Sequence, residues 1–398
     1  MKKKIIFYSI FSLFFLVAPL SPCTIFNASR NGLVLVGNNE DMFSTETRIW
    51  FTPPSEEKYG VFYIGFTKYG KQGAMNDRGL FFDANALKYS RMNPHPEKPK
   101  FPKDKDPLEQ IMETCATVEE VIELFSQYNL EGFDNFQAMF VDKSGDSAVI
   151  GADKNGELAI TRKKTHFQVS TNFNLACPEF GAFSYPCPRY EIATRMLENM
   201  KELSVDFFRS ILSAVHAEGQ SPTVYSNICD LTNGEIYVYN FHNFEEVMKF
   251  NLEEELKKGA HSIELASLFR QKTNAQLRFE ESQEKSLSSL LEKTIKKEGL
   301  KSAVKKFKKI REDFSLVPAQ LAQLVFLLSI EGKIEDAIEI SRLFCKEYPK
   351  KAEAHRTLGD LYARIGERKK AIDCYRKSLK IDKENKELKE LLEKLEAK

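Results

Sequence analysis

Residues 23–41 read Cys-Thr-Ile-Phe-Asn-Ala-Ser-Arg-Asn-Gly-Leu-Val-Leu-Val-Gly-Asn-Asn-Glu-Asp, and the segment before them decides what Cys23 is. Lys2-Lys3-Lys4 leads into the apolar run Ile5 to Leu20. A charged start followed by an apolar stretch predicts a secretory leader over residues 1–22. The run is shorter than the roughly 20 residues a membrane-spanning helix needs. Removing the leader makes Cys23 the first residue. A thiol has an ordinary pKa near 8.5, and an α-amino group with a pKa of about 7.7–8.0 is largely neutral just where a base is needed. That amine can take the thiol proton and later return it to a leaving amine, so no histidine is required.

The residues leave a second reading open. Leu20-Ser21-Pro22-Cys23 partly resembles a bacterial lipoprotein box, which would put a lipid on Cys23. Pro22, where such a box carries a small residue, argues against it. A Cys–His dyad is a further alternative, although the six histidines (95, 166, 216, 242, 261 and 355) show no metal-site spacing. No cofactor or metal is expected. Seven cysteines leave at least one outside any intramolecular bridge. Cys177-Pro178 and Cys187-Pro188 could be bridged in an exported protein, Cys115 and Cys229 read as buried, and Cys345 and Cys374 as free thiols.

The chain has 398 residues, enough for two or three domains. Hydrophobic residues make up 42 % and aromatic residues 12 %, which excludes a disordered or collagenous chain. A net charge of +1 gives no reason to expect nucleic acid. That near-zero value hides a split. From Arg270 onward there are 31 basic and 22 acidic residues, leaving 58 − 31 = 27 basic and 57 − 22 = 35 acidic before it. An acidic front half therefore precedes a basic tail.

Short β-type runs punctuated by Gly, Asn and Asp fill the front half: 33–36, 61–66, 138–141, 147–150, 159–161 and 236–239. Stretches 107–128 and 190–216 carry apolar residues at three- and four-residue spacing and read as helices. The proline-dense segment 94–106 is a loop. Antiparallel strands with two helical stretches predict an α+β layered domain.

Past residue 282 the chain repeats itself. Gly332 and Gly366, Ala337 and Ala371, Ile338 and Ile372, and Leu324 and Leu358 are each 34 residues apart. One period earlier stand Leu290, Ala303 and Val304, with Gly299 displaced by one. The period, with Leu358-Gly359-x-x-Tyr362 and Pro349, resembles the tetratricopeptide repeat. Three helix pairs at 283–316, 317–350 and 351–384 are expected, with a cap helix over 385–398.

Cys23-Thr24, with Gly37-Asn38-Asn39-Glu40-Asp41 beginning fourteen residues after Cys23, resembles the opening of the choloylglycine hydrolase and penicillin V acylase group. The wider group includes the acyl-CoA:6-aminopenicillanate acyltransferase-like proteins. Gly73-Ala74-Met75-Asn76-Asp77-Arg78-Gly79-Leu80 is similar to that group's Gly-Met-Asn-Glu-Lys-Gly-Leu segment. Thr171-Asn172, Arg189-Tyr190 and the stretch from Thr223-x-Tyr225-Ser226 to Tyr239 follow in the group's order. The resemblance spans 23–265 and implies a four-layer αββα N-terminal-nucleophile (Ntn) hydrolase sandwich, followed by a linker (266–282) and an all-α repeat solenoid (283–398).

It also implies roles. Cys23 aligns with the nucleophile, and Asp41 with the carboxylate that holds the nucleophile's amino group. Asn172 aligns with an oxyanion-hole asparagine; Asn85 lies near the other one, one residue short in its spacing from Asn76. Arg189 matches an arginine beside the thiol, where a positive charge would favour thiolate. One departure is plain: the bile salt and penicillin branch has arginine after the glycine, and here it is Asn38. The amidase frame stands, but the bile salt assignment does not transfer.

The sequence thus predicts an exported enzyme (periplasmic, secreted or in the cell envelope) that hydrolyses a linear amide C–N bond, in an N-acyl amino acid, bile salt or penicillin-type substrate, through a thioester on Cys23. The basic tail would offer a peptide or protein partner a concave surface, or act as a lid or in a homo-oligomer. Two alternatives use the same residues: an acyltransferase, and a lipid-anchored repeat scaffold with an inert hydrolase frame.

Overall fold

This computed structural model describes residues 23–396 apart from 88–89, 103–105 and 180–186. The leader expected over 1–22 lies outside the described residues. The chain divides into two compact units between Thr273 and Asn274.

The first unit is built on two antiparallel sheets. β1 (Thr24–Arg30) turns through Asn31 and Gly32, both at positive φ, into β2 (Leu33–Asp41). Two left-handed residues in a row make the tight hairpin turn that matches strand twist. β3 (Thr47–Thr52), β4 (Val61–Phe66), β5 (Gly70–Asn76), β6 (Phe81–Ala86), β7 (Phe136–Val141), β8 (Ser147–Ala152) and β9 (Leu158–Arg162) follow. β10 (Phe167–Ser170), β11 (Thr223–Asp230), β12 (Glu235–Asn240), β13 (Met248–Asn251) and β14 (His261–Glu264) complete the set. The six-stranded sheet runs β10-β1-β2-β11-β12-β13, and the eight-stranded sheet β14-β3-β4-β5-β6-β7-β8-β9.

Helices cover the outer faces. α1 (Pro107–Thr114) and α2 (Val118–Gln127) lie on the larger sheet: the Asn76 amide donates to the carbonyls of Met112 (2.9 Å) and Cys115 (2.8 Å), and Phe125 meets Phe140 at 6.0 Å. α3 (Pro188–Glu198) and α4 (Val205–Ala214) lie on the smaller sheet, where Phe26, Leu35 and Ile228 pack against Leu197, Phe208 and Ile211. The sheets face each other: the Asn27 amide donates to Ser147 Oγ at 3.1 Å, and Phe66 meets Tyr225 at 5.9 Å. The layer order is therefore α, β, β, α.

Each stretch read as one helix is two. Thr117 caps α2 in a reciprocal box with Glu120, which breaks 107–128, and Ser204 caps α4, which breaks 190–216. A side-chain acceptor for the first N–H groups restarts a helix wherever it stands. Segment 94–106 forms no helix among its described residues. All seven cysteines carry free thiols, so Cys177 and Cys187 are not bridged, and Cys187 instead stands at the start of α3.

The second unit is helical: α6 (Asn274–Glu284), which occupies part of the stretch read as a linker, then α7 (Leu287–Glu298), α8 (Leu300–Ile310), α9 (Val317–Ile330), α10 (Ile334–Glu347), α11 (Ala352–Arg364), α12 (Arg368–Ile381) and α13 (Lys386–Glu396). A one-turn helix, α5 (Leu252–Leu256), belongs to the first unit. Gly299, Gly332 and Gly366 all take positive φ between paired helices. Leu291, Leu324 and Leu328 join Ala303, Ala337, Ala371 and Tyr375 in one apolar core. Gly359 must stay small, because a Cβ there would lie 2.5 Å from the Tyr375 ring.

Candidate active site

Cys23 immediately precedes β1, whose flanks are β2 and β10. Register pairs Thr24 with Asn39 and Ile25 with both Asn38 and Ser170. This fixes the end of β2, the end of β10 and the residue after it around one cysteine. The pairing of β2 with β11 adds Thr223 opposite Asp41. Across the inter-sheet space, β6 contributes Asn85.

All five residues expected at the site come together. The Cys23 carbonyl oxygen accepts from Asn85 Nδ2 at 3.2 Å and from Arg189 Nη1 at 2.8 Å. Arg189 also donates to Thr24 Oγ1 at 2.7 Å and, through Nη2, to Asn172 Oδ1 at 3.2 Å. Asn172 Nδ2 donates to the Ala86 carbonyl at 2.9 Å, and Asn85 Oδ1 accepts from Ser170 Oγ at 2.5 Å. Asp41 Oδ1 accepts from the Thr223 hydroxyl, which itself accepts from the Ala217 N–H. The other Asp41 oxygen is buried without a hydrogen-bond partner.

Arg189 hydrogen-bonds the Cys23 carbonyl and the Thr24 hydroxyl, and its charge on Asp41 opposes the upward push of burial there. Burial raises the Cys23 pKa well above its ordinary value, and Glu40, Asp41 and Asp83 raise it further, against the Asp41 backbone N–H. These causes together favour the protonated thiol. Among the described residues the ring contacts of the histidines lie elsewhere, for example His166 to Leu197, His216 stacked on His242, and His261 to Glu255.

Sequence reasoning assigned no role to Glu40, Thr223 or Tyr225, and missed Asp83. A signal was present at Glu40. Asn38-Asn39-Glu40-Asp41 is a run of four polar residues inside a strand buried on both faces. Buried polar groups need partners, so such a run in a buried strand marks a built site. Asp83 gave no such sign; the pairing of β6 with β7 and the approach of the two sheets bring it to Cys23.

Solved structures similar to this chain include these three. Two are variants of the conjugated bile acid hydrolase from Clostridium perfringens, one arginine-to-leucine and one cysteine-to-alanine. Both are 18 % identical at a TM-score of 0.48 and cover 61 % of this chain, and they align over 97 % and 96 % of their own lengths. The third is penicillin V acylase from Agrobacterium tumefaciens, 16 % identical at a TM-score of 0.49, covering 61 % of this chain and 92 % of its own. No curated protein sequence matches the chain. In the helical unit, residues 352–385 match the tetratricopeptide repeat model.

Proposed function

We propose that the chain is an exported amidase that cleaves a linear C–N bond with Cys23 as an N-terminal nucleophile. The observation that supports this best is convergence: Asn85 and Arg189, 104 residues apart, both donate to the carbonyl of Cys23, beside an Asp41 oxygen left unpartnered. Leader removal would convert the Cys23 amide into an amine. In its protonated form that amine finds an acceptor in the second Asp41 oxygen. In its neutral form it takes the proton from the thiol as sulfur attacks the amide carbonyl. The tetrahedral oxyanion needs donors: Asn85, whose amide already donates one N–H to the Cys23 carbonyl, is one candidate, and Asn172, bonded to Arg189, is the other. Collapse of this intermediate breaks the C–N bond, the α-ammonium returns its proton to the departing amine, and a thioester remains. Water then attacks the thioester and releases the acid and the thiol.

The helical repeats, under the same proposal, present a surface to a peptide or protein partner. The test is amine release by the mature chain from a panel of N-acyl amino acids, bile salt conjugates and penicillin V, with Cys23→Ala and Cys23→Ser in parallel. Equal release by wild type and Cys23→Ala would end the amidase reading. Intact mass decides the fate of the leader: an unmodified chain starting at Cys23 agrees with the enzyme, and a diacylglyceryl adduct contradicts it.

A further inference from the structure

The interior between the two sheets, beside Cys23, holds polar atoms that the chain does not satisfy. Strand alternation turns Asn39 outward, where its amide donates to the Leu212 carbonyl of α4, and so turns Asn38 and Glu40 inward. Register sets Asn227 against Asn38 and Tyr225 against Glu40 on neighbouring β11, and Asp83 of β6 approaches from the opposite sheet. Gly73 makes room for it, since a Cβ there would lie 2.5 Å from Asp83 Oδ2. Asn38, Asp83, Tyr225 and Asn227 are 0 % exposed and Glu40 is 5 % exposed.

Six atoms of these side chains lack a hydrogen-bond partner. Two are amide acceptors, Asn38 Oδ1 and Asn227 Oδ1, and two are carboxyl oxygens, Glu40 Oε2 and Asp83 Oδ2, which are acceptors once ionised. The donors are fewer, the Tyr225 hydroxyl and the Asn38 amide, the latter near Glu40. Charge is unbalanced in the same sense. Burial and then Asp83 drive the Glu40 carboxyl up, against the lowering influence of the Cys23 thiol and the Asn38 side chain, and burial drives Asp83 up, against the Ala84 N–H; no lysine or arginine is among the causes for either. Arg189 is committed to Cys23, Thr24 and Asn172, and the α-amine of a mature Cys23 has Asp41 on the other face of β2. Buried acceptors in excess of donors, with two carboxyls among them, match an occupant rich in N–H bonds and positively charged. No three His, Cys, Asp or Glu side chains among the described residues converge closely enough to hold a metal ion, which favours an organic cation.

We infer that Glu40 and Asp83, with Asn38, Asn227 and Tyr225, form a cation-recognising subsite next to the Cys23 thiol, selecting N-acyl amides that carry a protonated amine close to the scissile bond. The term substrate here rests on the amidase reading; the subsite itself does not. An ammonium brings three donors and one positive charge to a place with surplus acceptors and uncompensated carboxyls.

The test reads the thiol directly. The full chain is treated with three methanethiosulfonates of similar size, bearing trimethylammonioethyl, ethyl or sulfonatoethyl groups. In each reaction the Cys23 thiolate displaces methanesulfinate and forms a mixed disulfide, which is quantified on the Cys23 peptide by mass spectrometry. Rates are normalised to those with a small free thiol. We expect the cationic reagent to modify Cys23 about tenfold or more faster than the anionic one. Glu40→Gln and Asp83→Asn should each move that ratio toward one. As a check that needs no variant, n-butylammonium should slow the labelling of wild type and n-butanol should not. Equal rates, a preference for the anion, or a Cys23 inert to all three reagents would overturn the subsite. Amine release is measured separately. Charge discrimination without any amide cleavage would sink the amidase reading alone, whereas cleavage indifferent to substrate charge would sink the subsite alone.

Discussion

Both units bury an apolar core, but the sandwich also buries a dense band of polar side chains between its sheets. Between the sheets stand Asn27, Asn38, Glu40, Asp83, Asn85, Gln137 and Asn227, all buried. In the helical unit Leu291, Leu324, Leu328, Ala337, Phe344, Leu361 and Ala371 form the core, and the buried polar positions are mostly small hydroxyls such as Ser288, Thr294, Ser329 and Ser378. An apolar interior lowers free energy simply by leaving water. A polar one must be matched atom by atom, and here part of it is unmatched. A fold that needed only stability would have no use for two uncompensated carboxyls beside a buried thiol. All five candidate site residues lie in the sandwich.

That comparison can be broken at several points. The largest expected effect is on turnover: Cys23→Ala should remove amide hydrolysis to background while leaving the melting curve nearly unchanged, as read by amine release and circular dichroism. Asn172→Ala should follow. It removes an amide suited to the oxyanion, and kcat should fall about 10²–10³-fold with KM little altered. If KM alone rises, Asn172 holds substrate and not the transition state.

Stability tests probe the two interiors from opposite sides. Leu324→Ala, at a fully buried position, should cost the helical unit about 2–5 kcal/mol in denaturant unfolding. Gln137 donates to Ser170 Oγ and to the carbonyls of Thr171 and Phe173 at 3.2, 2.9 and 2.8 Å. Gln137→Ala should cost the sandwich about 1–3 kcal/mol, from acceptors left unsatisfied. A loss near zero there would mean that water replaces the side chain without penalty.

The smallest effect is on pH dependence, and its sign is distinctive. Burial raises the folded-state pKa of Glu40 and Asp83, so the folded chain binds protons that the unfolded chain has lost. Stability from this pair is therefore present below the ordinary carboxyl range, near pH 4, and is lost as pH rises above it. Asp83→Asn should flatten that fall and raise the melting temperature at neutral pH. A melting temperature at neutral pH that drops on this substitution would show that the carboxylate is paired in solution.

Much of the fold could be read in advance, for reasons specific to each region. The 34-residue recurrence of Gly332 with Gly366 and of Ala337 with Ala371 exposed the repeats, because a helix pair that buries its face against a neighbour must reuse the same small residues. Strands such as 61–66 showed through composition. The helix breaks at Thr117 and Ser204 were missed because apolar spacing persists across a gap, whereas a cap is a single polar residue. At the site, Cys23, Asp41, Asn85, Asn172 and Arg189 were nameable from ordered motifs. Arg189's actual contacts were not, since a guanidinium chooses its acceptors only once α3 and β1 are placed.

By itself, then, the sequence determined which residue types were available: a cysteine after an apolar run, a polar run at the end of β2, and a period that commits the tail to paired helices. Those are properties of neighbours along the chain, set by propensity and alternation. The tertiary structure alone decided that Glu40 of one sheet and Asp83 of the other flank one thiol, and that Tyr225 and Asn227 leave atoms unpaired beside them. Charge proximity and unsatisfied hydrogen bonds depend on which faces meet across the sheets, and no local pattern encodes that meeting.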